Sequence, residues 1–593
     1  MKLSDYVAKK VVELGIQQVF MITGGGAMHL NQSFGRRAEL NVFFNHHEQA
    51  STIAAEAYAR LTGNPALVNV TTGPGGTNTI TGIHGAWTDS IPMVVISGQV
   101  KTATIASLNH PELRQLGDQE IDICSVVRTI TKYAVLITDP NSIRYHIEKA
   151  FFLATTGRPG PVWLDIPIDV QSCEVDEANL VGFSSVESAD PTLSSLQCSQ
   201  IISALADAKR PLVLLGTGVR TSKQANNVKD LVELWNIPVV TAWNAHDLIR
   251  SNHPLFVGKP GTVGDRSGNF AVQNADLVIV LGCRLNIRQI SYNWQSFAKK
   301  AKLLMVDIDE QELCKPTLNV KIPICADLSV LVPELLKFQF NLNNLSSDWL
   351  GWCKENQSRF PVVLESYKAT VEVNPYYFIE RLFTALDHNQ VVVAANGSAC
   401  VIGFQAAEIK DGTRFWTNSG SASMGYDLPA AIGACLGNDK SRTICLAGDG
   451  SIMMNLQELE TIRGNNLPIK VFIINNNGYS SIYQTHNNFF NGHEVGASPK
   501  SGVSLPNFEA LSTGFGIKYL KIQFTSELDS VIDRTLNSEG PVICEVMVDC
   551  KQGFAPKLAS KQLEDGTMMS PELDDMAPFL DREELDLIRS INE

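Results

Sequence analysis

Short apolar runs alternate with longer helical stretches along the whole chain, and this alternation constrains the fold more than any other feature. Most of the runs end in glycine or a polar residue. Ten of them read as buried strands: Ala66–Val70, Met93–Ile96, Val162–Leu164, Leu212–Leu215, Leu277–Leu281, Leu303–Val306, Val391–Ala394, Thr443–Leu446, Val471–Ile474 and Val542–Val546. Near-continuous apolar strands between helices are typical of parallel sheets covered on both faces. The sequence therefore predicts an α/β protein of doubly wound, mostly parallel sheets.

The chain has 593 residues, which is too long for one hydrophobic core, so about three domains are expected. Stretches without strand or helix periodicity suggest the boundaries: Ser172–Ser195, Asn341–Ser347 and the acidic segment after Cys550. We predict three α/β domains and a C-terminal tail, at 1–185, 190–342, 355–550 and 551–593. Ligands bind outside the carboxyl ends of strands in such sheets, so glycine-rich strand ends are candidate sites.

Composition excludes several classes of protein. The formal net charge of −14 argues against a nucleic-acid binder, which needs a basic surface. No apolar run reaches the roughly 18 residues of a membrane span, and the N-terminus has charged residues where a signal peptide is apolar. The 12 cysteines are scattered singly, which is typical of a reducing compartment. We expect a cytoplasmic protein that binds neither nucleic acid nor membrane.

The most specific indication of a ligand site comes from two strand ends, one rich in glycine and one rich in asparagine. One strand leads into Gly448-Asp449-Gly450-Ser451, and a second ends at Asn475-Asn476-Asn477-Gly478. Glycines allow close approach of the backbone to a phosphate, and a helix N-terminus offers free N–H groups to an anion. Asp449 and Asn476 could hold Mg²⁺, which prefers hard oxygen ligands. A lone Gly-Asp-Gly is often only a tight turn, but the second motif makes the pair much more specific.

This pair of motifs resembles the cofactor-binding motif of thiamine-diphosphate-dependent enzymes. The resemblance implies thiamine diphosphate bound at Gly448–Ser451. It also implies Mg²⁺ held by the Asp449 carboxylate, the Asn476 side-chain oxygen and the Gly478 carbonyl. The first and third domains would then be the pyrimidine-binding and diphosphate-binding domains of that family.

Two further residues match the same family. Glu48 stands at the start of a strongly helical run, where a carboxylate can simply be a helix N-terminal charge. By resemblance, Glu48 hydrogen-bonds N1′ of the aminopyrimidine and so promotes removal of the thiazolium C2 proton, and the cofactor carries out the carbanion chemistry. Met424 matches the bulky residue that holds the cofactor in its V shape, although one methionine is often core filling.

The resemblance covers most of the chain and is closest to the acetolactate synthase-like branch, of the large catalytic subunit type. It is carried by Thr71–Val100, Asp118–Ile123, Gly157–Pro167 and the segment MGYDLPAAIGA. It implies further cofactor contacts at Pro74, Asn78, Gly397, Ser398 and Ser423. In the family the C-terminal tail can close over the active site.

Other residues are expected to face the reacting groups. Gln119 and the loop around Gly25 would line the reaction centre, where loop N–H groups could stabilise an oxyanion. His84 is a candidate proton shuttle because an imidazole has a near-neutral pKa, and so are His29, His46 and His47. Each histidine alone is more often structural.

The central domain is expected to hold FAD. In PLVLLGTGVR and LVIVLGCRLNIRQ, Arg220 and Arg284 stand where the family's FAD-contacting residues are found. Arginines at strand ends are equally often salt-bridge partners, and some relatives bind ADP there or nothing. The family also implies a homodimer or homotetramer with active sites at the subunit interface, and a possible small regulatory subunit.

The substrate-facing positions depart from acetolactate synthases. Asp118 stands where they have phenylalanine, Ile168 where they have lysine and Thr485 where they have the tryptophan that selects the acceptor. Their Gly-Gln-His-Gln loop reads Gly-Ser-Ala-Cys at 397–400. These changes should weaken recognition of a second carboxylate-bearing substrate and open space for a larger or more polar acceptor.

We expect an enzyme that decarboxylates a 2-oxo acid, such as pyruvate, and ligates the two-carbon unit to a ketone or aldehyde. The alternatives are C–C hydrolysis of a cyclic dione and a pyruvate-oxidase-type reaction. A non-enzyme alternative is an inactive regulatory homologue, which the presence of Glu48, Met424, Asp449 and Asn476 disfavours.

Overall fold

The computed structural model describes residues 1–184, 191–338, 347–562 and 566–591 and contains three six-stranded sheets, in which all strands are parallel. Helices flank each sheet. The α/β class of three parallel-sheet domains that the sequence predicts is therefore confirmed. A short antiparallel pair, Lys561–Gln562 with Met568–Met569, lies in the tail.

The first sheet has the strand order β2-β1-β3-β4-β6-β5. Its strands are β1 (Gln18–Met21), β2 (Asn41–Phe44), β3 (Ala66–Val70), β4 (Met93–Gln99), β5 (Tyr133–Leu136) and β6 (Pro161–Pro167). Its helices are α1 (Leu3–Glu13), α2 (Met28–Gly35), α3 (Glu48–Thr62), α4 (Pro74–Thr77), α5 (Ile80–Thr88), α6 (Ala106–Asn109), α7 (Ile123–Val127), α8 (Ile143–Thr155) and α9 (Ile168–Ser172).

The central sheet has the order β12-β11-β10-β7-β8-β9, so the order reverses between β7 and β10. Its strands are β7 (Pro211–Leu215), β8 (Val239–Thr241), β9 (Phe256–Gly258), β10 (Leu277–Leu281), β11 (Lys302–Asp307) and β12 (Ile322–Cys325). The helices here are α10 (Pro191–Asp207), α11 (Gly218–Thr221), α12 (Ala225–Trp235), α13 (Arg266–Asn274), α14 (Ile287–Ile290), α15 (Glu310–Leu313) and α16 (Leu328–Leu335).

The third sheet, in the order β14-β13-β15-β16-β18-β17, repeats the strand order of the first. Its strands are β13 (Val391–Ala394), β14 (Arg414–Trp416), β15 (Thr443–Gly448), β16 (Ile469–Asn475), β17 (Lys518–Ile522) and β18 (Val542–Met547). The remaining helices are α17 (Ser347–Arg359), α18 (Glu365–Lys368), α19 (Pro375–Ala385), α20 (Ser398–Ala406), α21 (Asp427–Gly437), α22 (Glu458–Gly464), α23 (Ser480–Phe489), α24 (Phe508–Phe515), α25 (Leu528–Leu536) and α26 (Arg582–Arg589).

The domain division stays a prediction. Its ends at 185, 190 and 342 lie outside the described residues, and residue 355 falls within α17. That helix packs on the central domain, where the Trp349 indole donates to the Pro211 carbonyl at 2.9 Å. The last helix, α26, packs on Phe270 of the same domain. None of the helices in the described ranges has the length and apolar character needed to cross a membrane.

Helix α3 joins the first domain to the third. It is capped by the His47 side chain, which accepts from the Gln49 N–H, and it ends at Gly63, whose φ of 73° favours glycine. Its apolar face packs on α21, and residues of both domains form one core cluster. Gly433 lies so close to α3 that a Cβ would fall 1.9 Å from the Ala54 carbonyl oxygen. This packing fixes the position of the N-terminus of α3, where Glu48 lies.

Candidate active site

The predicted site residues of the first domain lie at the carboxyl edge of its sheet. The loop with Gly25 follows β1, Glu48 follows β2, and Pro74 follows β3. In parallel sheets this edge is where ligands bind, because successive strand ends and their loops converge there.

Glu48 and Asn78 are in direct contact. The Asn78 side-chain amide donates to Oε2 of Glu48 at 3.0 Å. The Glu48 side chain is half-buried at the first position of α3. The other carboxylate oxygen, Oε1, has no hydrogen-bond donor among the described residues, so it can accept or share a proton with a bound group.

Gln119 lies beside the segment that follows β3. A Cβ on Gly73 would fall 2.5 Å from the Gln119 carbonyl oxygen, so only glycine allows this approach next to Pro74. Gln119 has a φ of 63°, and its side chain is exposed. Gly25 is also exposed, at the same edge.

The histidines lie in different surroundings. His84 does not hydrogen-bond the first-domain site residues in the described chain; its Nδ1 lies 3.0 Å from the Ser421 hydroxyl, in the loop before Met424. His47 caps α3, His46 is exposed, and burial lowers the pKa of His29.

Asp449 directly follows β15 and is nearly fully buried. Its carboxylate accepts backbone N–H groups of Gly450 at 2.7 Å, Asn476 at 3.1 Å and Gly478 at 2.9 Å. Burial raises the pKa of Asp449 to about 6, although these three N–H groups lower it. The two motifs are thus joined through one carboxylate.

Asn476 carries a buried polar atom without a partner. Its Nδ2 donates to the Ser398 hydroxyl at 3.3 Å, while its Oδ1 has no donor. Buried oxygens are nearly always satisfied, so this oxygen, on a residue whose backbone N–H donates to Asp449, fits a cation ligand. No three His, Cys, Asp or Glu side chains cluster as a metal site in the described ranges, so a metal here would use one carboxylate, an amide and a carbonyl.

Two of the three glycines around Asp449, Gly450 and Gly478, have no room for a side chain. A Cβ on Gly450 would fall 2.1 Å from the Tyr479 ring, and one on Gly478, with φ 140°, would fall 2.2 Å from the Ala497 carbonyl oxygen. Gly448 is different, because a Cβ there would have only Ser451 atoms within 4 Å. This strand end therefore presents open backbone, as a bound phosphate requires.

The loops on either side are held by polar contacts. Ser451 donates to Asp427 at 2.7 Å and accepts from the Gly425 N–H. The Ser423 carbonyl, next to the half-buried Met424, accepts from Asn396 at 2.8 Å. Gly397, with φ 73°, precedes α20, which begins at Ser398 without a side-chain cap.

The sequence did not single out Asn455 and Glu458, two polar residues of the third domain that contact the segment around Glu48. Asn455 donates to the Gln49 side chain at 3.0 Å, and Glu458 binds the loop before α3. The available signal was their polarity within the partly apolar run that follows Gly-Asp-Gly.

A cavity of about 400 Å³ lies where the order of the central sheet reverses. Gly216 follows β7 and Gly282 follows β10; a Cβ on Gly216 would fall 2.2 Å from the Gly282 carbonyl oxygen. Arg284 lines this cavity. Arg220 does not, because it pairs with Asp247 at 3.0 Å.

Three family models match the chain, all of thiamine pyrophosphate (thiamine diphosphate) enzymes. They are the N-terminal TPP binding domain at residues 1–126, the central domain at 198–335 and the C-terminal TPP binding domain at 395–546. The chain belongs to this family. Thiamine pyrophosphate dependence, predicted from Gly448–Ser451 and Asn476, is thereby confirmed.

Named relatives place it in the acetolactate synthase-like branch. Acetolactate synthase 1, chloroplastic, of Oryza sativa subsp. japonica is 30% identical over 94% of this chain and 86% of that protein. The probable acetolactate synthase large subunit of Methanococcus aeolicus is 31% identical over 90% of each chain. Acetolactate synthase 3, chloroplastic, of Brassica napus is 29% identical over 94% of this chain and 85% of that protein. This chain is therefore a thiamine-pyrophosphate-dependent enzyme.

Proposed function

We propose that this enzyme uses Mg²⁺, decarboxylates a 2-oxo acid such as pyruvate, and joins the remaining two-carbon unit to a ketone or aldehyde. The likeness to acetolactate synthases along nearly the whole chain supports this reaction class. The observation that carries the metal assignment is the buried Oδ1 of Asn476, which has no donor among the described residues, on a residue whose backbone N–H donates to the Asp449 carboxylate. Both oxygens are of the kind that bind Mg²⁺ and, through it, a diphosphate.

The chain's own residues then have distinct tasks. Asp449, Asn476 and the Gly478 carbonyl hold the metal, and the open backbone at Gly448 admits the diphosphate. Glu48 holds a proton at the aminopyrimidine through its free carboxylate oxygen, while Asn78 fixes the other oxygen. The bound cofactor supplies the carbanion chemistry.

Each active site is proposed to use Glu48 of one subunit and Asp449 of another. In the single chain, a large apolar side chain close in sequence to each site residue is exposed: Phe44, before Glu48, by 53% and Met454, after Asp449, by 50%. Such exposure at a site's edge is typical of a surface that a partner covers.

Mixing two inactive variants tests this arrangement. Glu48→Gln and Asp449→Asn subunits, unfolded together and refolded, form mixed dimers in which one of the two sites has both residues intact. Recovered turnover supports a shared site. Turnover no higher than that of either variant alone, with mixed dimers confirmed by mass spectrometry, overturns it.

FAD is proposed to occupy the central cavity. The reversal of strand order there is where doubly wound sheets bind nucleotides. Arg284 and Lys223 offer positive charge to a diphosphate, and Asp307 offers a carboxylate to a ribose. The absorption spectrum of the purified enzyme, alone and after addition of FAD, tests this; ADP that binds in its place, with no flavin bound, would contradict it.

The acceptor is proposed to differ from that of acetolactate synthases. Thr485, where they have tryptophan, is exposed on α23, and Asp118 is exposed beside Gln119. Ile168 begins α9 and brings no charge where they have lysine. A wider and more polar pocket suits a larger or more polar ketone.

The decisive experiment measures CO₂ release and products from pyruvate, with thiamine pyrophosphate and Mg²⁺, alone and with candidate acceptors. Acetolactate from pyruvate alone means acetolactate synthesis in an altered pocket. Turnover only with a larger ketone supports the altered acceptor. Turnover of a cyclic dione without CO₂, or peroxide formation from pyruvate, would replace carboligation with hydrolysis or oxidation.

A further inference from the structure

Lys557 differs from Lys259, Lys470 and Lys132, three other buried or half-buried lysines, in how its ammonium group is satisfied. Lys259 donates to three backbone carbonyls, and Lys470 and Lys132 donate to two each. Among the described residues the Lys557 ammonium has a single acceptor, Oε1 of Gln484 at 3.1 Å. It forms no ion pair with any of them, so two of its N–H groups have no acceptor in the part of the chain that the structure describes.

The one acceptor that Lys557 has is already shared. Oε1 of Gln484 also accepts the Phe554 N–H at 3.2 Å. The Phe554 ring centroid lies 5.9 Å from the Lys557 ammonium and covers one side of it. Burial lowers the pKa of Lys557, because a partly desolvated cation without a counter-charge is disfavoured. An anion would remove that penalty and supply charge-assisted hydrogen bonds.

Lys557 contacts the helix that follows the proposed metal ligand Gly478 in its own chain. Gln484 is on α23, which begins two residues after Gly478. On the same helix, Ser481 Oγ lies 3.8 Å from where a Cβ of Gly397 would stand. Gly397 precedes Ser398, whose hydroxyl accepts from Asn476. The ammonium therefore contacts a helix whose first turn lies beside Gly397, the residue before Ser398.

We propose that the Lys557 ammonium binds an anionic group, a carboxylate or a phosphate, of the acceptor substrate at the edge of the thiamine pyrophosphate site. This inference rests on the proposed carboligase function. Acetolactate synthases have a lysine where this chain has Ile168, and Lys557 would supply a cation to the pocket from the C-terminal segment instead. The acceptor would then be a charged ketone rather than a neutral aldehyde.

The kinetic test keeps the pyruvate donor saturating and compares a charged acceptor, a larger 2-oxo acid, with the neutral acceptor acetaldehyde. Lys557→Gln should raise KM for the charged acceptor by about tenfold, the worth of one charge-assisted hydrogen bond. KM for acetaldehyde should stay within about twofold, and Lys557→Arg should restore most of the difference. Lys551→Gln, on an exposed lysine of the same segment, is the matched control. Equal effects on both acceptors, or none, overturn the proposal.

A second readout does not need turnover. Acetic anhydride labelling of Lys557 and Lys551 is followed by peptide mass spectrometry, with and without inorganic phosphate or acetate, in the enzyme loaded with thiamine pyrophosphate and Mg²⁺. Selective protection of Lys557 supports an anion site, and the more effective anion distinguishes phosphate from carboxylate. Equal labelling under all conditions overturns it. Protection without any carboligation means that the anion site stands and the proposed function fails.

Discussion

The buried carboxylate of Glu458 accepts a hydrogen bond from the Asn45 side chain at 2.9 Å, across the boundary between the third and first domains. Its other oxygen accepts the His46 N–H, also at 2.9 Å, and the Thr461 hydroxyl donates to the first oxygen at 2.8 Å. Asn45 and His46 lead directly into Glu48. The third domain therefore holds the loop that presents Glu48, through a residue that follows the metal-binding motif.

Glu458→Gln should weaken this hold. An amide offers one acceptor oxygen instead of two, so a buried donor loses its partner at a cost of about 1–3 kcal/mol. We expect a lower Tm and a turnover number reduced by about tenfold, with thiamine pyrophosphate affinity nearly unchanged, because a positioning group acts on orientation. Thermal unfolding, steady-state kinetics and cofactor titration measure these. Glu460→Gln, which changes only a surface pair with Arg463, is the control; equal losses in both variants would refute a positioning role.

Glu48→Gln should leave the fold intact, since Asn78 can still donate to the remaining side-chain oxygen. The variant cannot hold the carboxyl proton at the aminopyrimidine, so turnover should fall by about a hundredfold or more. Proton–deuterium exchange at C2 of the bound cofactor, followed by NMR, measures the affected step directly. Wild-type exchange and turnover in this variant would show that Glu48 has another role. Glu39→Gln, on an exposed residue of the same domain, is the control.

Asn476→Ala should raise the Kd for Mg²⁺ by about tenfold or more, because an oxygen ligand is removed from a small coordination set. Removal of Mg²⁺ by a chelator should abolish turnover in the wild-type enzyme. Calorimetric titration of Mg²⁺ in the presence of thiamine pyrophosphate measures the affinity. The control is Asn477→Gly, at an exposed position with φ 62° that suits glycine. Equal affinity in the two variants would exclude Asn476 as a ligand.

Mg²⁺ affinity should depend on pH through Asp449. Burial raises the pKa of this carboxyl to about 6, and only the charged form binds the metal. Above that pKa the affinity should be nearly constant. Below it a proton competes, so the Kd should rise by about tenfold per pH unit. Titrations from about pH 5 to about pH 8 measure this; an affinity that is the same at both ends would contradict it.

The sequence by itself predicted ten of the twelve inner strands and missed the short strands β1 and β8. Runs such as Leu277–Leu281 and Val391–Ala394 are buried on both faces, so their apolar character is a local property. It did not single out the edge strands. Asn41–Phe44 and Tyr133–Leu136 are short and partly exposed, so their mixed composition does not distinguish them from loops.

Part of the candidate active site could likewise be predicted from the sequence, and part could not. The sequence allowed Asp449 and Asn476 to be paired, because each directly follows a strand and a single α-helix lies between the two strands in the chain. The glycines next to them also mark the tight backbone of this site in the sequence itself. The contact of Glu458 with Asn45 joins residues 413 apart, and that of Lys557 with Gln484 joins residues 73 apart. Neither has a local pattern, because packing of distant segments creates it. Only the tertiary structure decided which polar side chains find partners and which, like Asn476 Oδ1, have none among the described residues.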